Sequence, residues 1–173
     1  MSVAANAEFD YRALRDAFGC FATGVTIITA RHKTATEDVM VGLTANSFSS
    51  VSLNPALVSW SLAAHAPSQP IFQNCSHYAI HVLRTDQQDL AERFAQSRDD
   101  KFAEMELTFG LGEAPILPRC LAVFQCRNSY RHVGGDHIIF LGQVEKFECQ
   151  TGSPLIFHAG KFGNLMQTER DNE

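Results

Sequence analysis

The feature that most constrains this chain is a pair of long β-prone runs, Leu121 to Val133 and His137 to Cys149, separated only by Gly134-Gly135-Asp136. Glycine tolerates the positive φ that a tight reversal needs, so the sequence predicts one long antiparallel hairpin. Other β-prone runs extend the pattern. Val25 to Ala30 and Val39 to Ala45 flank the polar stretch 31–38 and predict two paired strands. Ala56 to Leu62, opened by Asn54-Pro55 and closed by Ala66-Pro67-Ser68, predicts another. Tyr78 to Leu83 alternates, and Leu155 to Ala159 predicts a last strand before Gly160-Lys161-Phe162-Gly163 and an acidic tail, Glu169 to Glu173, expected to fray.

Helical periodicity is brief. Phe9, Ala13, Ala17 and Phe18 recur at helical spacing behind acidic Glu8 and Asp10, which predicts an amphipathic helix over Glu8 to Phe18. Pro70 suits the start of a short helix through Asn74, and Asp86 to Ala95 sets Leu90 and Phe94 four apart behind an acidic first turn. Six or seven strands with two or three short helices imply a mainly β, antiparallel barrel or sandwich, because parallel crossovers would need more helix. With 173 residues, the chain is read as a single domain.

A formal charge of −5 and the lack of a basic patch argue against nucleic acid as partner. No apolar stretch is long enough to span a bilayer, and the start has no basic segment followed by an apolar one, so neither membrane insertion nor secretion is expected. Five scattered cysteines, Cys20, Cys75, Cys120, Cys126 and Cys149, form no CxxC pair or zinc-ribbon spacing and suit a reduced cytoplasmic interior.

The densest chemical candidate is Gly42 to Pro55, where hydroxyl and amide side chains crowd a strand exit. Such residues leave backbone N–H groups accessible and add O–H donors, as a phosphate or a heterocycle edge requires, although a Ser/Thr-rich surface turn has the same composition. Arg93 and Lys101 could hold one anionic group together or pair with their acidic neighbours. His77 and His81 stand four apart with no third ligand following, so no metal site is expected. His137 directly follows Gly-Gly-Asp at a bend, where an imidazole is exposed and locally steered. No Gly-x-Gly-x-x-Gly after a strand, Walker lysine loop or Gly-x-Ser-x-Gly elbow is present, which disfavours Rossmann, P-loop and α/β-hydrolase chemistry.

Five blocks occur in an order that resembles the short-chain flavin reductase family: Phe21 to Thr29, Gly42 to Pro55, Val82-Leu83 leading into Leu90 to Ala95, Gly135 to Val144, and Pro154 to Phe162. The family includes reductase components of two-component monooxygenases such as 4-hydroxyphenylacetate 3-monooxygenase. The resemblance covers about residues 10–165 and implies an FMN-binding split barrel that works as a homodimer. It further implies an NAD(P)H:flavin oxidoreductase using FMN or FAD, with NADH or NADPH as donor and an oxygenase component as a partner. No basic pair marks a 2′-phosphate, which leans toward NADH. Two alternatives share the fold: a reductase of a corrin cobalt intermediate, and a flavin-binding module without turnover.

Carried over by resemblance, Thr44, Ala45, Asn46 and Ser47 address the isoalloxazine edge, with Ser50 and the strand end Ser61, Leu62 and Ala63 beside them. Arg93 and Lys101 resemble the basic residues near the flavin phosphate, and His137 resembles the histidine placed by flavin and nicotinamide. This chain departs from the family in two places. His81 stands where Asn commonly precedes Val-Leu, and the loop Ala63 to Ser68 is poorer in hydroxyl and basic groups.

Overall fold

The structure, a computed structural model, describes residues 10–98 and 100–165; Glu8, Phe9 and the acidic tail lie outside the described residues. The chain runs α1 (Tyr11–Gly19), β1 (Thr23–Gly24), β2 (Thr26–Lys33), β3 (Asp38–Ala45), β4 (Ser49–Leu53), β5 (Ala56–Ala63), α2 (Gln69–Asn74), β6 (His77–Val82) and α3 (Gln88–Ala95). It continues through β7 (Thr108–Phe109), β8 (Pro115–Ile116), β9 (Ala122–Gly134), β10 (His137–Cys149), β11 (Leu155–His158) and β12 (Lys161–Asn164). Seven strands form one antiparallel sheet in the order β3-β2-β6-β9-β10-β5-β4, which is the framework of the expected split barrel. The β9–β10 hairpin is present in full, with Gly134 opposite His137 and Gly135 at φ +70° in the turn.

All seven expected strands appear, and the structure adds five more among the described residues. Three of the five have two residues each, too short to carry any periodicity. β4 stands where composition alone suggests a Ser/Thr-rich surface turn. Its serines disguise a strand that pairs antiparallel with β5, Ser49 opposite Ser59 and Ser50 opposite Val58, with a bulge between Ser50 and Ser52. β12 pairs with β11 around Ala159-Gly160, both at positive φ, a reversal whose alanine gave no turn signal.

β2 reads as a continuous β-branched run because both of its faces are covered. Ile28 and Ala30 point into the barrel with Trp60, Phe72, Tyr78, Ile80 and Phe140, whereas Val25 and Ile27 belong to a second core with Leu83, Phe94, Leu117 and Leu155. In the barrel core, Trp60 stacks on Phe140 at 4.6 Å between ring centroids and meets Phe72 and Tyr78 edge to face.

His81 is wholly buried between the sheet and the 114–117 segment. Its Nδ1–H donates to Ile27 O at 3.0 Å, and its Nε2 accepts from Leu117 N at 3.1 Å. That pattern requires the neutral imidazole, and burial pushes the pKa down to about 4 from an ordinary 6.5. The stability held by the neutral ring is therefore complete above about pH 6.5 and is lost as pH falls toward 4, at up to about 1.4 kcal/mol per pH unit. Between pH 6.5 and 5 the loss amounts to about 2 kcal/mol. His81→Asn is expected to flatten this acid limb; urea titrations of both proteins across the window check it, and parallel acid limbs would exclude His81 as the cause.

α1 differs from its expected role. Asp10 is not in the first turn but caps the helix, its carboxylate accepting from Arg12 N at 2.9 Å and Ala13 N at 3.1 Å. No residue of α1 is buried, and Tyr11, Phe18 and the following Phe21 are each at least 70% exposed.

Candidate functional site

The two edge strands of the seven-stranded sheet, β3 and β4, are consecutive in the chain, and the turn between them carries Asn46 and Ser47. Ser47 closes this seam. Its Oγ accepts from Ser61 N at 2.9 Å and donates to Ser61 O at 3.3 Å, so the end of β3 is fastened to the middle of β5. Strand alternation then sorts the expected residues. Val58, Trp60 and Leu62 of β5 point into the core, which leaves Ser59, Ser61 and Ala63 on the outer face.

Register sets β10 beside them, with His137 opposite Ala63, Ile139 opposite Ser61 and Leu141 opposite Ser59. The hairpin tip is fastened to the loop after β5 as well, through Ala64 N donating to Asp136 O at 2.9 Å. Ser47, Ser61, Ala63 and His137 therefore lie along one edge of the barrel, with residues 44–46 leading into it.

Several side chains in that set are already committed. Leu62 lies in the core and can offer only its backbone. Ala45 packs against the same core and accepts from Thr26 Oγ1 through its carbonyl. The Thr44 hydroxyl donates to Ala91 O at 2.5 Å, tying β3 to α3 rather than facing outward. Asn46 and Ser50 are exposed, and neither side chain hydrogen-bonds to another described residue. Their donors are available to a ligand.

His137 is about half exposed, and its Nδ1 lies 2.8 Å from Asp136 Oδ1. The imidazole beside it holds the Asp136 carboxyl below the usual carboxylate range, with His65 adding to the effect. An ionised carboxylate can only accept, so Nδ1 carries the proton and Nε2 is the atom left for a ligand.

The basic pair does not act as one exposed anion site. Lys101 is half-buried, with Nζ donating to Gly42 O and Phe94 O at 3.0 Å each, so it clips the end of α3 to β3. Burial lowers its pKa. Arg93 turns its Nη1 to Ala103 O at 3.2 Å. Lys101 nevertheless borders a cavity of about 580 Å³ between β3, α2 and residues Ser97, Arg98 and Phe102, within the range of ligand pockets. Its lining includes apolar Val41, Ile71 and Phe102 and polar Ser68, Ser97, Arg98 and Lys101, but not Arg93. Sequence reasoning missed Arg98 because Asp99 and Asp100 beside it look like a solvated charge cluster.

Of the two histidines four apart, His77 contacts Ser76 and Glu145, whereas His81 is bonded inside the protein to Ile27 and Leu117. The five cysteines are free.

Residues 18–166 match the family described as the flavin reductase like domain. The FMN reductase (NADH) SmoA of Agrobacterium fabrum is 41% identical over 154 residues, covering 89% of this chain and 86% of the relative. The reductase component of a flavin-dependent trigonelline monooxygenase from Acinetobacter baylyi is 38% identical; the match covers 92% of this chain but 51% of the relative, so this chain spans about half of that protein's length. Among solved structures, the NADH:FAD oxidoreductase SgcE6 of Streptomyces globisporus, in complex with NAD and FAD fragments, superposes with a TM-score of 0.87 at 30% identity, covering 98% of this chain and all of the other.

Proposed function

The chain belongs to the flavin reductase like domain family, and from that premise we propose that it transfers hydride from NADH to a flavin, FMN or FAD, and supplies the reduced flavin to a partner such as a flavin-dependent monooxygenase. The observation that carries this reading is the shared barrel edge, where Ala63 stands opposite His137, Ser61 two residues away is bonded to Ser47, and Asn46 adjoins Ser47 in the turn. The relatives named above are flavin reductases or reductase components, which favours turnover over a passive flavin module and over corrin reduction.

A flavin fits the residues present: exposed amide and hydroxyl donors at the seam, and a cavity of mixed lining that includes two cations, Arg98 and Lys101. A bound flavin supplies the two-electron acceptor for the dihydronicotinamide hydride. The protein's share is to bind, orient and exclude water. Asn46, Ser50 and the backbone of residues 44–47 offer donors toward the ring edge, where negative charge builds during reduction. Lys101, with two of its three N–H groups spent on carbonyls, keeps one for an anionic group in the cavity. His137, its ring fixed through Nδ1, presents Nε2 as an acceptor to the nicotinamide.

A steady-state assay tests the reading. NADH oxidation that requires both this protein and added flavin is expected, faster with NADH than with NADPH; no flavin-dependent oxidation with either donor would overturn it.

The working unit we propose is a homodimer in the cytoplasm. Free cysteines suit a reducing compartment, and no described helix is long and apolar enough to cross a membrane. The uncovered apolar side of α1, with Tyr11, Phe18 and Phe21, supplies a surface for the second copy. Sedimentation at micromolar concentration is expected to give twice the chain mass, and Phe18→Glu with Phe21→Glu to shift it toward the monomer; a wild-type monomer that still reduces flavin would remove the dimer from the account.

A further inference from the structure

We infer that Arg98, rather than Arg93, is the guanidinium that receives the phosphate end of the flavin in the cavity beside β3; this rests on the flavin reading above. Of the two arginines, only Arg98 lines the cavity, where it stands with Lys101, Ser68 and Ser97. Arg93, which sequence resemblance would assign, is instead turned to Ala103 O.

The chemistry of the polar lining suits a phosphate monoester. Lys101 is held in place by two carbonyls and retains one N–H. Arg98 is held by Asp100, its Nε donating to Oδ1 at 2.5 Å and its Nη2 to Oδ2. That two-bond fork occupies one edge of the guanidinium and leaves Nη1 with both of its hydrogens for a second acceptor. Asp100 is thus a positioning residue. It fixes the plane of the guanidinium before the ligand arrives, so less side-chain freedom is lost on binding. Ser68 and Ser97 add hydroxyls that can donate to further phosphate oxygens. Val41, Ile71 and Phe102 add apolar lining that suits the uncharged part of the ligand. Half-burial of Lys101 depresses its pKa, a penalty that a bound anion relieves.

Riboflavin, which has the ring and ribityl chain but no phosphate, separates phosphate contacts from ring contacts. The test is quenching of flavin fluorescence, titrating wild type, Arg98→Ala and Arg93→Ala with FMN and with riboflavin, beside a melting curve of each. Arg98 and Asp100 side chains are 39% and 57% exposed, so the first variant is expected to fold as wild type does. For Arg98→Ala, FMN affinity is expected to fall about tenfold, the lower end for a charge-assisted contact because the group is partly solvated, with riboflavin affinity held within about twofold. The FMN preference over riboflavin should also become less sensitive to salt. Arg93→Ala is expected to leave that preference intact. Unchanged FMN affinity in Arg98→Ala, or equal losses for FMN and riboflavin, would overturn the proposal while leaving flavin binding in place. A wild-type protein that quenches neither flavin would overturn the flavin reading and this proposal together.

Discussion

Replacing Gly142 by alanine is expected to destabilise the protein by about 3 kcal/mol and to lower its melting temperature by roughly 6–12 °C. Gly142 lies on β10 on the same face as Phe140, opposite Val58, and points into the barrel. A Cβ there would lie 2.8 Å from Tyr78 Cζ, 2.9 Å from Cys126 Cβ, and closer still to the Tyr78 hydroxyl. Neither neighbour can retreat: Tyr78 and Cys126 are wholly buried, and Tyr78 is pressed edge to face against Trp60. The Tyr78 hydroxyl has no hydrogen-bond partner among the described residues, and burial pushes its pKa well up. Tyr78→Phe alone should therefore be neutral or slightly stabilising, since it removes a buried group that no bond satisfies. In a Gly142→Ala background the same change should recover part of the loss, because the closest of the clashing atoms is gone. A denaturation cycle over the four proteins reads this coupling directly. Additive effects would show that the barrel relaxes around residue 142 by some route other than the tyrosine.

The largest expected loss of activity is at His137. His137→Ala should reduce the rate of hydride transfer by about a hundredfold while changing flavin affinity by less than about threefold. The side chain stands on the exposed barrel edge opposite Ala63, its ring fixed by Asp136, and no packing of the core depends on it. An interaction confined to the transition state lowers turnover without weakening ground-state binding, whereas a turn residue lowers stability and leaves turnover per folded molecule unchanged. His137→Gln, which keeps a polar group with an acceptor oxygen near the Nε2 position, should recover part of the rate. Rapid-mixing reduction kinetics of each variant, set beside its melting curve, separate these roles. A wild-type rate paired with a lowered melting temperature would assign His137 to the turn.

Much of this architecture was legible from local pattern. The Gly135 reversal, the β-branched β2 run and the alternating β6 each carry their own signal, and each strand lies within a few residues of where that signal put it. Ser49–Leu53 did not show, because its serines meet solvent on an edge strand and give no apolar alternation. The close backbone approach at Gly142 went unread in the sequence, because the approaching group, Tyr78, comes from β6, far away in the chain. The site divides in the same way. His137 was visible from the turn before it, and the polar run 44–50 from composition, yet composition does not say which side chains are spent internally. Thr44 is bonded to Ala91, Leu62 is in the core, and Lys101 holds two carbonyls. The same blindness favoured Arg93 over Arg98, since which arginine faces a cavity is decided by contacts with residues far away in the chain.

The central claim is that this barrel edge passes hydride from a nicotinamide nucleotide to a flavin. It is tested most directly by mixing NADH with the protein and a stoichiometric amount of FMN in the absence of oxygen, and following the absorbance of the oxidised flavin. The account predicts rapid, complete bleaching that the protein accelerates by orders of magnitude over the same mixture without it, and that His137→Ala slows. FMN that binds the protein but is reduced no faster than free FMN would contradict it.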